Sequence, residues 1–300
     1  MEQKKRPGLG RLALLITTMI WGGAFVLMKT ALNDLDPIYL LAIRFTIAAV
    51  VLMLFSVREW RRIDRGYLVG CLPAALALAL AYLFQTWGLV YTTPGKNAFL
   101  TAFYVIVTPF LAWFLLKQRP DRVRFLAAVI CLASVGLISM DTGFTVNTGD
   151  ALTLVCGVFF AIHILVLDRY AAGRNTLLVT ALQFAAASVM LWVLALIAGH
   201  PPARIEAGTW GSLVYLGLVS TALCFVLQTF GQQNTPPAQT AILLSLEAVF
   251  GTLASVLFYH ERPRARVVAG FAGMFLAVLI SETGLRFLRK RRRERSGDTE

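Results

Sequence analysis

Gln85-Thr86-Trp87-Gly88-Leu89-Val90-Tyr91-Thr92 recurs 143 positions later, the difference between 228 and 85, as Gln228-Thr229-Phe230-Gly231-Gln232-Gln233-Asn234-Thr235. Displacement by the same amount matches Pro94 with Pro237, Ala98 with Ala241, Leu100 with Leu243 and Arg119-Pro120 with Arg262-Pro263. Upstream the displacement becomes 139, the difference between 183 and 44, and sets Asp36, Arg44 and Phe45 opposite Asn175, Gln183 and Phe184. A few inserted residues account for the change, so the chain contains itself twice. Two copies of one membrane bundle place a substrate path at the interface of the halves, a geometry suited to a carrier.

Apolar residues make up 58% of the 300 and charged residues 15%, with a mean hydropathy of +0.70. A soluble domain carries about a quarter charged residues, so lipid is the solvent for most of this chain. Crossing a ~30 Å hydrocarbon layer takes roughly 20 apolar residues per helix. Such stretches run over about Leu9–Leu32, Pro37–Val57, Gly66–Val90, Gly95–Leu116 and Arg122–Met140, then Asp150–Leu167, Thr176–Ala198, Thr209–Gly231, Ala238–Tyr259 and Arg266–Thr283. The pattern predicts an all-α integral membrane protein of ten transmembrane helices in two inverted five-helix repeats: residues 1–140, 150–283, and a basic tail over 284–300. Trp21-Gly22-Gly23 continues the first stretch into Lys29 with no cleavage pattern, so it reads as a retained helix and not a secretory signal.

The net charge of +12 is informative through its distribution over the loops. With the amino terminus cytoplasmic and ten crossings, most of the 28 basic residues fall on the cytoplasmic side, including Arg58, Arg61, Arg62, Arg65, Arg169, Arg174 and the run Lys290-Arg291-Arg292-Arg293. Asp34, Asp36, Asp141 and Asp150 fall on the other side. Both termini are thus expected in the cytoplasm, with the tail against anionic lipid and not nucleic acid. Arg262, Arg264 and Arg266 break the rule because an odd number of helices per copy turns the second copy upside down. Cys71, Cys131, Cys156 and Cys224 lie within spans and read as small buried residues; their spacing calls for no metal or disulfide, and no cofactor is expected.

A charge inside a span costs about 2.5–3.5 kcal/mol on insertion scales and requires a partner, a wet cavity or a role. The candidates are Lys29, Arg44, Lys96, His163 and Glu247. Lys29 can reach the headgroups from the end of its helix. Arg44 is expected in an ion pair or a helix-end hydrogen bond, since repeat symmetry replaces it with neutral Gln183. Lys96, Leu100 and Tyr104 follow at four-residue spacing and map onto Gln239, Leu243 and Glu247, two stripes expected to face each other across a pseudo-twofold axis. Glu247, near mid-span, either has a structural partner, most simply Lys96 or a backbone amide, or binds a proton or a cationic group. Tyr82 and Gln85 share a face, as do Phe225 and Gln228; the two glutamines hydrogen-bond between helices or line a cavity. Trp21 corresponds to Phe160, with His163 one turn beyond, a packing residue or a substrate or proton site. Pro94-Gly95 and Pro236-Pro237 mark the mouths of helices 4 and 9 as the expected irregular elements. Trp21, Tyr82, Gln85, Lys96, Tyr104, Phe160, His163, Gln228 and Glu247 are therefore the candidate substrate-binding residues.

Trp21-Gly22, Arg44-Phe45, the run Tyr91-Thr92-Thr93-Pro94-Gly95-Lys96-Asn97-Ala98-Phe99-Leu100, and Leu246-Glu247-Ala248-Val249-Phe250 with Glu261-Arg262-Pro263 resemble the EamA family of the drug/metabolite transporter superfamily. Ala248 stands where the family often has proline, and Gln118 stands in the first copy where the second has Glu261. The resemblance spans essentially the whole chain. It implies a bacterial inner-membrane secondary transporter working by alternating access and exporting amino acids, amines or other small metabolites, as a monomer or weak homodimer. A membrane-embedded lipid-modifying enzyme would need a convergent acid/base or metal set, for which only His163, His200 and His260 are available as histidines; a non-transporting membrane protein is the other alternative. Without a phosphate-cradling Gly-Lys-Ser/Thr loop, direct ATP hydrolysis is not expected.

Overall fold

Ten apolar segments become ten helices. The computed structural model describes residues 6–117, 122–139, 147–199, 201–202, 204–235 and 237–283. Asp141, Gln118, Arg119-Pro120, Pro236, His200 and the basic tail lie outside the described residues. The first copy comprises α1 (Pro7–Ala31), α2 (Pro37–Phe55), α3 (Arg65–Tyr91), α4 in two segments (Pro94–Thr101 and Tyr104–Leu116) and α5 (Arg122–Ser139). The second comprises α6 (Thr148–Ala171), α7 (Thr176–Ala198), α8 (Ala207–Asn234), α9 (Pro237–Phe258) and α10 (Ala265–Thr283). Among the described residues seven helical segments are long and apolar enough to cross a membrane; shorter apolar stretches in α5, α9 and α10 complete the ten. The chain is an all-α integral membrane protein of two inverted five-helix repeats.

Side chains that punctuate the sequence start the helices. Asp36 accepts from the Ile38 amide ahead of Pro37, and its repeat counterpart Asn175 accepts from the Leu178 amide. Each satisfies an amide that the helix leaves unbonded, a cap worth about 1 kcal/mol. Thr93 caps α4 in the same way, with Pro94 at the first helical position.

Packing follows the duplication. α2 lies along α7 and α5 along α10, each helix against its own counterpart. The contact of α3 with α6 has its mirror in α8 with α1, and that of α1 with α9 in α6 with α4. Glycines permit the closest of these approaches. A Cβ on Gly149 would lie 2.6 Å from the Gly88 carbonyl oxygen, and a Cβ on Gly231 would lie 3.2 Å from that of Gly10; these are the same pair of positions in the two copies. Gly22 is pressed against the backbone of Phe250 and Gly251 on α9, so the first glycine after Trp21 admits a helix, while Gly23 faces open space. Large apolar side chains such as Phe55, Phe114 and Ile197 cover the outside, whereas Arg44, Gln183, Gln228 and Glu247 are buried. That inversion is what a lipid solvent selects.

Among the described residues two irregular elements interrupt the spans, and neither lies at Pro94 or Pro237. In α4 the amides of Phe103, Val105 and Ile106 bond three residues back, to Leu100, Ala102 and Phe103, so the helix tightens between its segments. The stripe of Lys96, Leu100 and Tyr104 is therefore not one face. In α8, Leu216–Leu223 is a π-helical segment; the matching part of α3, from Pro73 on, stays α-helical.

Candidate functional site

One cavity of about 540 Å³, its open mouth included, lies between the copies and draws on α1, α2, α3, α4, α6, α8 and α9. Eight of the nine candidate residues line it: Trp21, Tyr82, Gln85, Tyr104, Phe160, His163, Gln228 and Glu247. Lys96 does not. The break in α4 and two helical turns separate it from Tyr104, and its ammonium pairs at 2.6 Å with Asp150 at the start of α6. Thr92 donates to the other Asp150 oxygen at 2.6 Å. Of the alternatives read from the sequence for Glu247, neutralisation of Lys96 is thus replaced. Beside it Glu261 accepts from Thr93 at 2.5 Å, from the Gly95 amide at 3.1 Å and from Ser255, binding the α3–α4 turn to the end of α9.

Lys29 differs from its expectation too. Instead of reaching outward, its ammonium donates to the carbonyls of Leu89, Val90 and Thr92 at 2.6, 3.0 and 3.1 Å. These are oxygens at the end of α3 that the helix cannot bond itself, where a cation also complements the helix dipole.

Aromatic rings form the cavity wall. Trp21 meets Phe225 with ring centroids 5.2 Å apart, Tyr82 meets Phe160 at 5.4 Å, and Phe160 meets Tyr104 at 6.3 Å. The Trp21 indole donates to the Ser220 carbonyl at 2.8 Å, tying α1 to the π segment. Gln85 donates to Thr101 at 3.1 Å and also faces the cavity. The side-chain oxygen of Gln228, its counterpart, is buried with no hydrogen-bond partner among the described residues. His163 and Gln183 approach at 3.0 Å, placing the imidazole in a hydrogen bond and on the wall at once.

Sequence reasoning did not place Arg44 on this wall, although the charge in mid-span signalled it. It is 1% exposed, and among the described residues it finds neither an ion pair nor a helix end. Its Nε donates to the Thr221 hydroxyl at 2.6 Å, Nη2 to Ser220 at 3.2 Å and Nη1 to the Met28 sulfur at 3.2 Å, while its carbon lies 4.8 Å from the Tyr82 ring centre. Glu247, 4% exposed, has neither a hydrogen bond nor an ion pair among the described residues. Among the described residues the cavity therefore holds one cation and one carboxylate, each without an opposite charge of its own. An unpaired buried charge costs several kcal/mol, so the arrangement suits a ligand that supplies the missing charges.

The EamA-like transporter family model matches residues 8–140 and again 147–283. The chain belongs to the EamA-like transporter family. An "Uncharacterized transporter" of Archaeoglobus fulgidus is 30% identical over 271 residues, covering 90% of this chain and 84% of the relative. A "Probable terminal-alkyne amino-acid exporter" of Streptantibioticus cattleyicolor is 25% identical over 290 residues, covering 95% and 96%. A crystal structure superimposes with a TM-score of 0.70 at 18% identity over 94% of this chain and 99% of that one, a likeness of fold. As a member of the EamA-like family the chain is a multi-pass membrane transporter and not an enzyme.

Proposed function

We propose that this EamA-like transporter is a secondary exporter of small metabolites such as amino acids or amines, working by alternating access. The two repeats, residues 1–140 and 150–283, would be its moving bodies, and the tail over 284–300 its cytoplasmic anchor. The observation that carries the reading is the central cavity walled by both copies, in which Arg44 and Glu247 stand without ion-pair partners among the described residues. Glu247 takes a proton or a cationic group, and the aromatic wall takes the apolar remainder. The name of the Streptantibioticus relative adds support for an amino-acid cargo. The bias of basic residues supports an orientation in a bacterial inner membrane with both termini cytoplasmic, which would put the Lys96–Asp150 pair at the external end. A flux screen in reconstituted vesicles tests the reading, with amino acids, amines and carboxylates, run with and without a pH gradient. Saturable flux of at least one class is expected; leakage no faster than in protein-free vesicles for every class would overturn it.

A further inference from the structure

We infer that Arg44 is the residue that takes the negative group of the substrate, and that this group is a carboxylate. The inference rests on the transport reading and names the substrate class at the same cavity.

Arg44 is fixed in aim but not neutralised. A guanidinium has five N–H donors; three of its nitrogens find the Thr221 and Ser220 hydroxyls and the Met28 thioether. These are neutral acceptors, and sulfur is a weak one, so they orient the fork without cancelling its charge. The Tyr82 ring beneath it does the same. Among the described residues no carboxylate lies within ion-pair distance of it.

The fold itself does not require the charge. The counterpart position carries Gln183, and the neighbouring Phe45 and Phe184 pack against each other as equivalents, rings 5.0 Å apart. The hydroxyls are as one-sided as the guanidinium. Ser220 and Thr221 correspond to Ala77 and Leu78 of α3, both buried and apolar, and only α8 has the π segment that carries the two hydroxyls. Three departures from internal symmetry, at positions 44, 220 and 221, thus converge on a single guanidinium facing the cavity. A π segment inside an α-helix is a frequent mark of a functional site.

The charge inventory selects the kind of anion. Among the described residues Arg44 is the one Lys or Arg side chain on the cavity wall, and Glu247 stands on the same wall. A phosphate dianion would bring more negative charge than one guanidinium offsets and would face Glu247. A carboxylate carries one charge on two oxygens, which the planar fork can hold with two parallel hydrogen bonds.

The test compares binding and flux for leucine, phenylalanine and lysine, each beside its amide, which keeps size and amine and loses the negative charge. Binding is read as thermal stabilisation of the purified full chain in detergent, and flux in reconstituted vesicles. At least one acid should bind, with its amide weaker by about tenfold or more, as expected for loss of a charge-assisted pair. R44Q, which copies the glutamine of the other repeat, should melt as the wild type does and bind acid and amide alike; should it not fold, R44K, which keeps the charge but not the fork, should narrow the gap. The double substitution S220A/T221A should weaken the acid and leave the amide unchanged. Amides binding as tightly as acids, no acid binding at all, or variants that discriminate as the wild type does would each overturn the inference. Acids that bind with no flux would sink the transport reading and leave Arg44 standing. Flux indifferent to the carboxylate would do the reverse.

Discussion

Phe45 and Phe184 hold the same position in the two copies, and their rings meet edge to face with centroids 5.0 Å apart and planes at 73°. Equivalent residues touch each other only at a twofold axis, so this contact fixes where the pseudo-symmetry runs, along the seam of α2 and α7. The residues just before them differ most: Arg44 turns to the π segment of α8, and Gln183 to His163 on α6. An axis lined by equal rings thus has unequal polar groups on its two sides.

Glu247→Gln should stop flux without harming the fold. The carboxylate has no hydrogen bond or ion pair among the described residues to lose, and removing an unpaired buried charge is neutral or stabilising. Melting at or above the wild-type temperature with loss of at least about tenfold in flux is expected, the effect of losing one charged contact. Wild-type flux would remove the carboxylate from the mechanism.

Lys96→Gln should behave in the opposite manner. Asp150 is completely buried, and stripping its cation leaves an uncompensated charge, at a cost of about 3 kcal/mol. Denaturation in detergent should show that loss in Lys96→Gln and most of it regained in Lys96→Gln/Asp150→Asn. A single variant as stable as the wild type would show the pair to be idle.

Lys29→Met keeps the apolar stem of the side chain and deletes the cap on three carbonyls at the end of α3. A loss of about 1–2 kcal/mol is expected from the hydrogen bonds and the dipole together, read from the denaturation midpoint. An unchanged midpoint would return Lys29 to the headgroup region.

Orientation can be read by impermeant thiol labelling of intact cells, in a background without the four buried native cysteines. Asn147→Cys should label from outside and Trp60→Cys should not, as the distribution of basic residues requires. Labelling of Trp60→Cys alone would invert the proposed topology.

The fold was legible because lipid leaves a coarse record: long apolar runs, loops sorted by charge, and a repeat that survives as Gln, Thr and Gly at fixed spacing. Most of the cavity was legible for the same reason, since a Gln85 or a Glu247 within such a run has few reasons to be there. The break in α4 and the π segment of α8 were not. Both are changes in hydrogen-bond register at Leu100–Ile106 and Leu216–Leu223, stretches in which neither proline nor a polar run marks the spot. Missing the first put Lys96 on the wrong face. Asp150 was seen only as a loop charge, and the hydroxyl partners of Arg44 come from α8, more than 170 residues away along the chain.

The two glycine contacts, Gly88 with Gly149 and Gly10 with Gly231, are one joint installed twice, and inversion sets the installations at opposite ends of the bundle. A methyl group placed at either is a wedge: on Gly149 it meets backbone atoms of Gly88, Tyr91 and Thr92, and on Gly10 it meets Thr235, Asn234 and the Gly231 carbonyl. Around Gly149 the neighbours are backbone, which cannot swing aside, whereas around Gly10 the nearest are the Thr235 hydroxyl and the Asn234 Cβ; each wedge should prop open its own end, at a cost of about 1–3 kcal/mol that is larger at Gly149. Gly149→Ala and Gly10→Ala are then opposed instruments, expected to change the water access of cavity thiols in opposite senses. The duplication has supplied the molecule with its own pair of matched controls.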